Sequence, residues 1–94
     1  MRNTNIETID KEQIKFLKFP KEDVLNSKKK QHERCIAIRR AMALGNLEQQ
    51  KFGILFMDKV GFKKVETTIW GVTDKSVILK QSTIIPLKRI LAIS

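Results

Sequence analysis

From Lys51 to Ser94 the chain is cut into short apolar stretches by turn-forming residues, and this punctuation leaves room for little but short strands. KFGILFM (51–57) is apolar and ends at Asp58-Lys59-Val60-Gly61, a turn with glycine in its last position. FKKVETTIWGV (62–72) alternates, with Val65, Thr67 and Ile69 facing one side and Glu66, Thr68 and Trp70 the other. Thr73-Asp74-Lys75 turns the chain again, SVILK (76–80) forms a third strand, and Gln81-Ser82 leads to a fourth at 83–85. Pro86 ends that strand, and Leu87-Lys88-Arg89 makes a tight corner before the fifth, 90–93. Gly71 lies in mid-strand, where a closely curved sheet needs a bend or bulge. Five short, closely connected strands predict a small, strongly bent β-barrel. Its core candidates are Phe52, Ile54, Phe56, Val65, Ile69, Val77, Leu79, Ile84, Ile90 and Leu91.

Ahead of the strands, residues 28–44 read as a helix. QHERCIAIRRAMAL is rich in helix formers, and Gly45-Asn46 is a stop signal. At 100° per residue Cys35, Ile38 and Met42 share one face, and Lys28, Lys29, His32, Arg39 and Arg40 spread over the other. Residues 1–27 read as an arm. Asp10 to Gln13 resembles a capping box opening a short helix, Pro20 ends what forms there, and a second helix start falls at Pro20 itself, with Glu22 and Asp23 in its first turn. Phe16, Leu17, Phe19, Val24 and Leu25 are apolar anchors, suited to folding back on the chain's own barrel or to docking on a partner. The expected organisation is an arm (1–27) followed by one domain (28–94), mainly β with one or two helices.

Charge narrows the function classes. The 94 residues carry 19 Lys and Arg against 10 Asp and Glu, a net charge of +9. Residues 1–27 are neutral overall, so the excess lies in the helix, from Lys28-Lys29-Lys30 onward, and in the strands. Such an excess suits a polyanion-binding protein. Only Glu33 interrupts the cationic helix face, whereas a merely solvated face mixes both signs. Trp70 shares a strand face with Glu66 and Thr68, where it either stacks on a base or a partner or closes the barrel against the helix. The one cysteine, Cys35, forms no internal disulfide and fits a reducing compartment. With no apolar run of membrane-spanning length and no secretory leader, a cytoplasmic location and no membrane partner are expected.

The stretch Ile69-Trp-Gly-Val-Thr-Asp-Lys-Ser-Val-Ile-Leu-Lys-Gln81 and the ending Pro86-Leu-Lys-Arg-Ile-Leu-Ala-Ile-Ser94 resemble the second and third strands and the last corner of the Sm-like small barrels, the Hfq-like proteins among them. The resemblance covers residues 31–94 and implies an Sm-like or SH3-like barrel that binds RNA and pairs with copies of itself through open strand edges. Where that family carries an aromatic in the turn, this chain has Lys75, and its commonly Lys-His corner is Lys88-Arg89 here. The resemblance therefore implies phosphate contact rather than base stacking at these two places. ETTIWGVTDKSVILK and TIIPL also resemble short chains of Bacteroidota, which implies a lineage and no activity.

Nothing in the sequence assembles into catalytic machinery. His32 and Cys35 supply at most two ligands where structural zinc takes four, and neither has an orienting partner in sequence. Glu66 and Asp74 belong to different elements, and the four glycines are too scattered to cradle a phosphate. No enzyme activity, metal or cofactor is expected. The leading expectation is an RNA-binding protein gripping phosphates through Lys28, Lys29, Lys30, Arg34, Arg39, Arg40, Lys75, Lys88 and Arg89, with Trp70 beside them. It would serve as an RNA chaperone or as part of a ribonucleoprotein such as the ribosome, with rRNA as its contact there, and it would form a homo-oligomer through strand edges. The alternatives are a protein–protein adaptor and, behind it, a DNA-binding barrel.

Overall fold

The computed structural model describes residues 6–48 and 50–94. Among them, one long helix, α1 (Lys28–Glu48), and seven short strands pack around a single core. The strands are β1 (Glu7–Thr8), β2 (Phe52–Met57), β3 (Phe62–Thr67), β4 (Ile69–Val72), β5 (Ser76–Leu79), β6 (Ile84–Pro86) and β7 (Ile90–Ile93). They form a four-stranded sheet in the order β1-β3-β2-β7 and a three-stranded sheet in the order β4-β5-β6.

The chain from 62 to 72 belongs to both sheets. Its side chains alternate as expected, with Val65, Thr67 and Ile69 buried and Glu66 and Trp70 exposed. Pairing with β2 ends at Phe52 opposite Thr67. The next carbonyl, of Thr68, accepts a hydrogen bond from the Lys80 N–H at 3.2 Å, which turns the chain into the second sheet. One expected strand is thus two, and β1 brings the count from five to seven. β6 pairs only with β5 and β7 only with β2, so strand pairing does not close the sheets into one barrel among the described residues. The register shifts between Ile69 and Gly71, so Trp70 and Gly71 together oppose Ile78 in a bulge.

Phe56, Ile54, Val65, Ile69, Val77, Leu79, Ile85 and Ile90 fill the space between the sheets. Each such side chain contributes about 1.5–3 kcal/mol by leaving water. Ile84 is 52% exposed, contrary to its expected place in the core, and its neighbour Ile85 points inward instead. Phe52 and Leu91 are half-buried at the margin.

The helix buries Ile38 and Ala41 and leaves His32, Ile36, Arg39, Arg40 and Ala43 exposed. It continues past Gly45, the expected stop, to Glu48. Gly45 does not take the left-handed conformation of a helix-ending glycine. It is wedged against the second sheet, where an added Cβ would lie 3.3 Å from both the Gln50 carbonyl oxygen and Thr68 Cγ2. Glycine serves close approach here rather than termination.

Residues 6–27, expected as an arm, contribute to this same core. Glu7 and Thr8 pair in parallel with Lys63 and Lys64, and the Ile9 N–H donates to the Lys64 carbonyl at 2.9 Å. A 3₁₀ helix follows at Lys11–Phe16, its first turn fixed by the Asp10 N–H donating to Gln13 Oε1 at 2.9 Å. Ile9 and Ile14 are buried, Leu17 and Phe19 pack on the core, and the Phe19 ring lies 6.0 Å from that of Phe56. Lys63, itself buried, ties the segment to the first turn, with its ammonium 3.5 Å from Asp58 Oδ1 and 3.6 Å from Glu7 Oε1. The same Asp58 oxygen accepts the N–H groups of Val60 and Gly61 at 3.0 and 2.9 Å. Burial pushes the Asp58 carboxyl up, but these donors and Lys63 outweigh it and hold it below the ordinary range.

Candidate nucleic-acid interface

The expected phosphate contacts separate into three groups. Lys28, Lys29 and Lys30 form the exposed first turn of α1, and Arg39 and Arg40 stand exposed further along it. No acidic residue offsets the lysines in that turn, so their charge adds to the positive end of the helix dipole.

Arg34 and Arg89, also expected as phosphate contacts, are committed inside the protein. Arg34 donates from Nη1 and Nη2 to the two oxygens of Asp23 at 2.8 and 2.9 Å, and from Nη1 to the Ile90 carbonyl at 3.2 Å. Its side chain is only 8% exposed. The Arg34 hydrogen bonds hold the Asp23 carboxyl below its ordinary range against the effect of burial, helped by the Leu25 N–H. Arg89 is buried and donates from Nε to the Met57 carbonyl at 3.1 Å and from Nη1 to the Glu22 carbonyl at 2.8 Å. Both side chains bind residues 22–23 to the core instead of facing solvent. The signal for Arg34 lay in the helical spacing, since it precedes Ile38 by four and Ala41 by seven residues and so shares their buried face.

Lys75 and Lys88 do come together. They border a cleft of about 490 Å³ whose floor is formed by Phe19, Pro20, Pro86 and Leu87. Lys21 joins them on its rim, and Asp74 is the one carboxylate there. Three connections build the cleft. The Leu87 N–H donates to the Lys75 carbonyl at 2.9 Å, which sets the corner of residues 87–89 against the β4–β5 turn. Thr73 Oγ1 accepts the Lys75 and Ser76 N–H groups at 3.1 and 2.9 Å, which fixes that turn. The Val24 N–H donates to the Lys88 carbonyl at 2.8 Å, which lays the N-terminal segment alongside. Sequence reasoning misses Phe19, Pro20 and Lys21 as part of a site, because it assigns Pro20 to a helix boundary and Phe19 to the apolar anchors.

Trp70, expected beside these contacts, is 50% exposed on the outer face of the second sheet, where it does not close the core. Ile84 is exposed on β6 of the same sheet, and the intervening Ile78 is half-buried.

No helix among the described residues is long and apolar enough to cross a membrane, and no three His, Cys, Asp or Glu side chains there converge as a metal site would require. No protein-family model, curated protein or solved structure matches the chain.

Proposed function

We propose that this chain is an RNA-binding protein of small-barrel type that holds its partner mainly through phosphates. One observation carries the reading: Lys21, Lys75 and Lys88 converge on an apolar floor at the junction of three chain segments. Ammonium groups around such a floor suit a ligand with anionic links and flat, apolar-faced units, as single-stranded RNA has. The bent run through both sheets and the six short strands β2–β7 support the barrel reading of the architecture. Within this reading the chain acts as an Sm-like RNA chaperone or as a component of a ribonucleoprotein. Copies pair through the free edge of β7, and light scattering at rising concentration tests that pairing.

The binding test is a titration of mixed-sequence single-stranded RNA at several salt concentrations. Three phosphate contacts give a log–log slope of about −2, and two more from Arg39 and Arg40 take it to about −3.5. Lys75→Ala with Lys88→Ala weakens all sequences alike and flattens the slope by about 1.4. Affinity indifferent to salt and to these lysines would reject the reading. Equal affinity for duplex DNA would reassign the partner.

A second reading, a protein–protein adaptor, is favoured by Trp70 and Ile84 on the outer face of the β4-β5-β6 sheet. RNase treatment of a cell extract separates the two, since an adaptor keeps its associations after RNA is destroyed.

A further inference from the structure

The Lys75–Lys88 cleft is one of two along the same seam. Residues 11–21 pass beside residues 81–88, and a second cleft of about 440 Å³ opens where the 3₁₀ helix meets the β5–β6 hairpin. Lys11 and Lys15 stand on one wall, with Ile14 among its lining residues. The hairpin forms the other wall through Gln81, Ser82, Thr83 and Ile84. The strand β6 joins the two clefts, with Pro86 at the first and Ile84 at the second.

β6 also exposes a suitable edge. The Leu79 N–H donates to the Thr83 carbonyl and the Leu87 N–H to the Lys75 carbonyl, so pairing with β5 uses alternate residues beginning at Thr83. By that alternation the backbone groups of Ile84 and Pro86 face away from β5. Pro86 has no N–H, so another strand finds a poor template there. A ligand whose own links are charged and whose units carry hydrogen-bonding heads does not need that ladder.

The hairpin wall is itself unusual. Gln81 and Ser82 both take left-handed conformations, at φ 66° and 62°, which glycine or asparagine adopts more readily. The strain places an amide and a hydroxyl side by side on the cleft, polar groups of the kind that reads base edges and ribose hydroxyls.

Resting on the reading above, we infer that the seam is one continuous track for single-stranded RNA, in which the N-terminal segment forms one wall and the Lys11–Lys15 cleft holds nucleotides beyond those at Lys75 and Lys88. Ile84 and Pro86 are two residues apart on β6, so at about 3.3 Å per residue the adjoining ends of the clefts lie roughly 7 Å apart. At about 3.4 Å of rise per stacked nucleotide, about two nucleotides bridge them. A tetranucleotide therefore occupies the more cationic Lys21–Lys75–Lys88 cleft, and an octanucleotide reaches both. Glu12 opposes the second cleft's charge: it lies 3.5 Å from the Lys11 ammonium, and its own backbone N–H together with Lys11 holds its carboxyl below the ordinary range.

The test is fluorescence anisotropy of the full chain with labelled mixed-sequence RNAs of four and eight nucleotides. The octamer binds more than tenfold tighter than the tetramer. Lys11→Ala with Lys15→Ala flattens the octamer's salt slope by about 1.4 and leaves the tetramer's unchanged. Glu12→Gln tightens the octamer severalfold and not the tetramer. Circular dichroism verifies that each variant keeps its fold. If the octamer gains nothing over the tetramer, or if the double variant weakens both equally, the track is overturned while RNA binding at the first cleft stands. If the wild type binds neither RNA, both readings fall. Displacement of the octamer by an eight-residue oligoglutamate at similar concentration would assign the seam to acidic peptides and overturn the track.

Discussion

The guanidinium of Arg34 grips both carboxylate oxygens of Asp23, and this pair fastens the N-terminal segment to the helix. Two parallel charge-assisted hydrogen bonds fix orientation as well as distance. Breaking such a pair from one side leaves a charge without its partner in a poorly hydrated place. Arg34→Met is expected to cost about 3 kcal/mol in chemical denaturation. Replacing both residues by apolar ones of similar size recovers much of that loss, and the double-mutant cycle shows a coupling of about 1–3 kcal/mol.

The same pair sets an acid limit. Asp23 and Asp58 both have folded-state pKa values below their ordinary ones. Their contribution is fully present above the unfolded pKa, near 4, and is lost as the pH falls through the folded values. The melting temperature should be flat from pH 7 to 5 and should drop below pH 4. Asp23→Asn lowers the plateau and makes the acid drop shallower. A drop as steep as the wild type's would place the linkage elsewhere.

Much of the architecture can be read from residue order, and the exceptions have a common cause. The turns at Asp58–Gly61 and Thr73–Lys75 and the alternation through Val65, Thr67 and Ile69 are local signals, and they appear where the residues put them. The places of Ile9 and Ile14 are not local. Their burial depends on β3 and the sheets, more than 40 residues away, and the mixed spacing of Ile14, Phe16, Leu17 and Phe19 gave no period to follow. The candidate site divides in the same way. Lys75 and Lys88 stood out by type, but the roles of Lys21, Arg34 and Arg89 depend on which segments meet.

Gly45 offers a test of close approach. In an exposed helix interior, glycine to alanine gains about 1 kcal/mol. Here the new methyl meets the Gln50 carbonyl and Thr68 at 3.3 Å, so Gly45→Ala is expected to gain nothing. Gly45→Val should cost about 1–3 kcal/mol by overpacking. Thermal denaturation of the two variants checks both values.

The strained hairpin should respond in the opposite sense. Gln81→Gly relieves a left-handed side chain and gives back part of that gain as added freedom in the unfolded chain. A net gain of about 0.5–1 kcal/mol is expected in urea unfolding. A loss would mean that the Gln81 side chain makes contacts that outweigh the strain.

The hydrogen bonds from Arg89 to Glu22 and from Arg34 to Ile90 span 67 and 56 positions of the chain. During synthesis Glu22 emerges well before Arg89, which holds it and is made 67 residues later. Contacts of such long range carry loop-closure entropy and form late in folding. Leu17 and Phe19 must therefore wait, apolar and unseated, until β7 has left the ribosome, so this segment is a stretch of the nascent chain in need of a chaperone's cover.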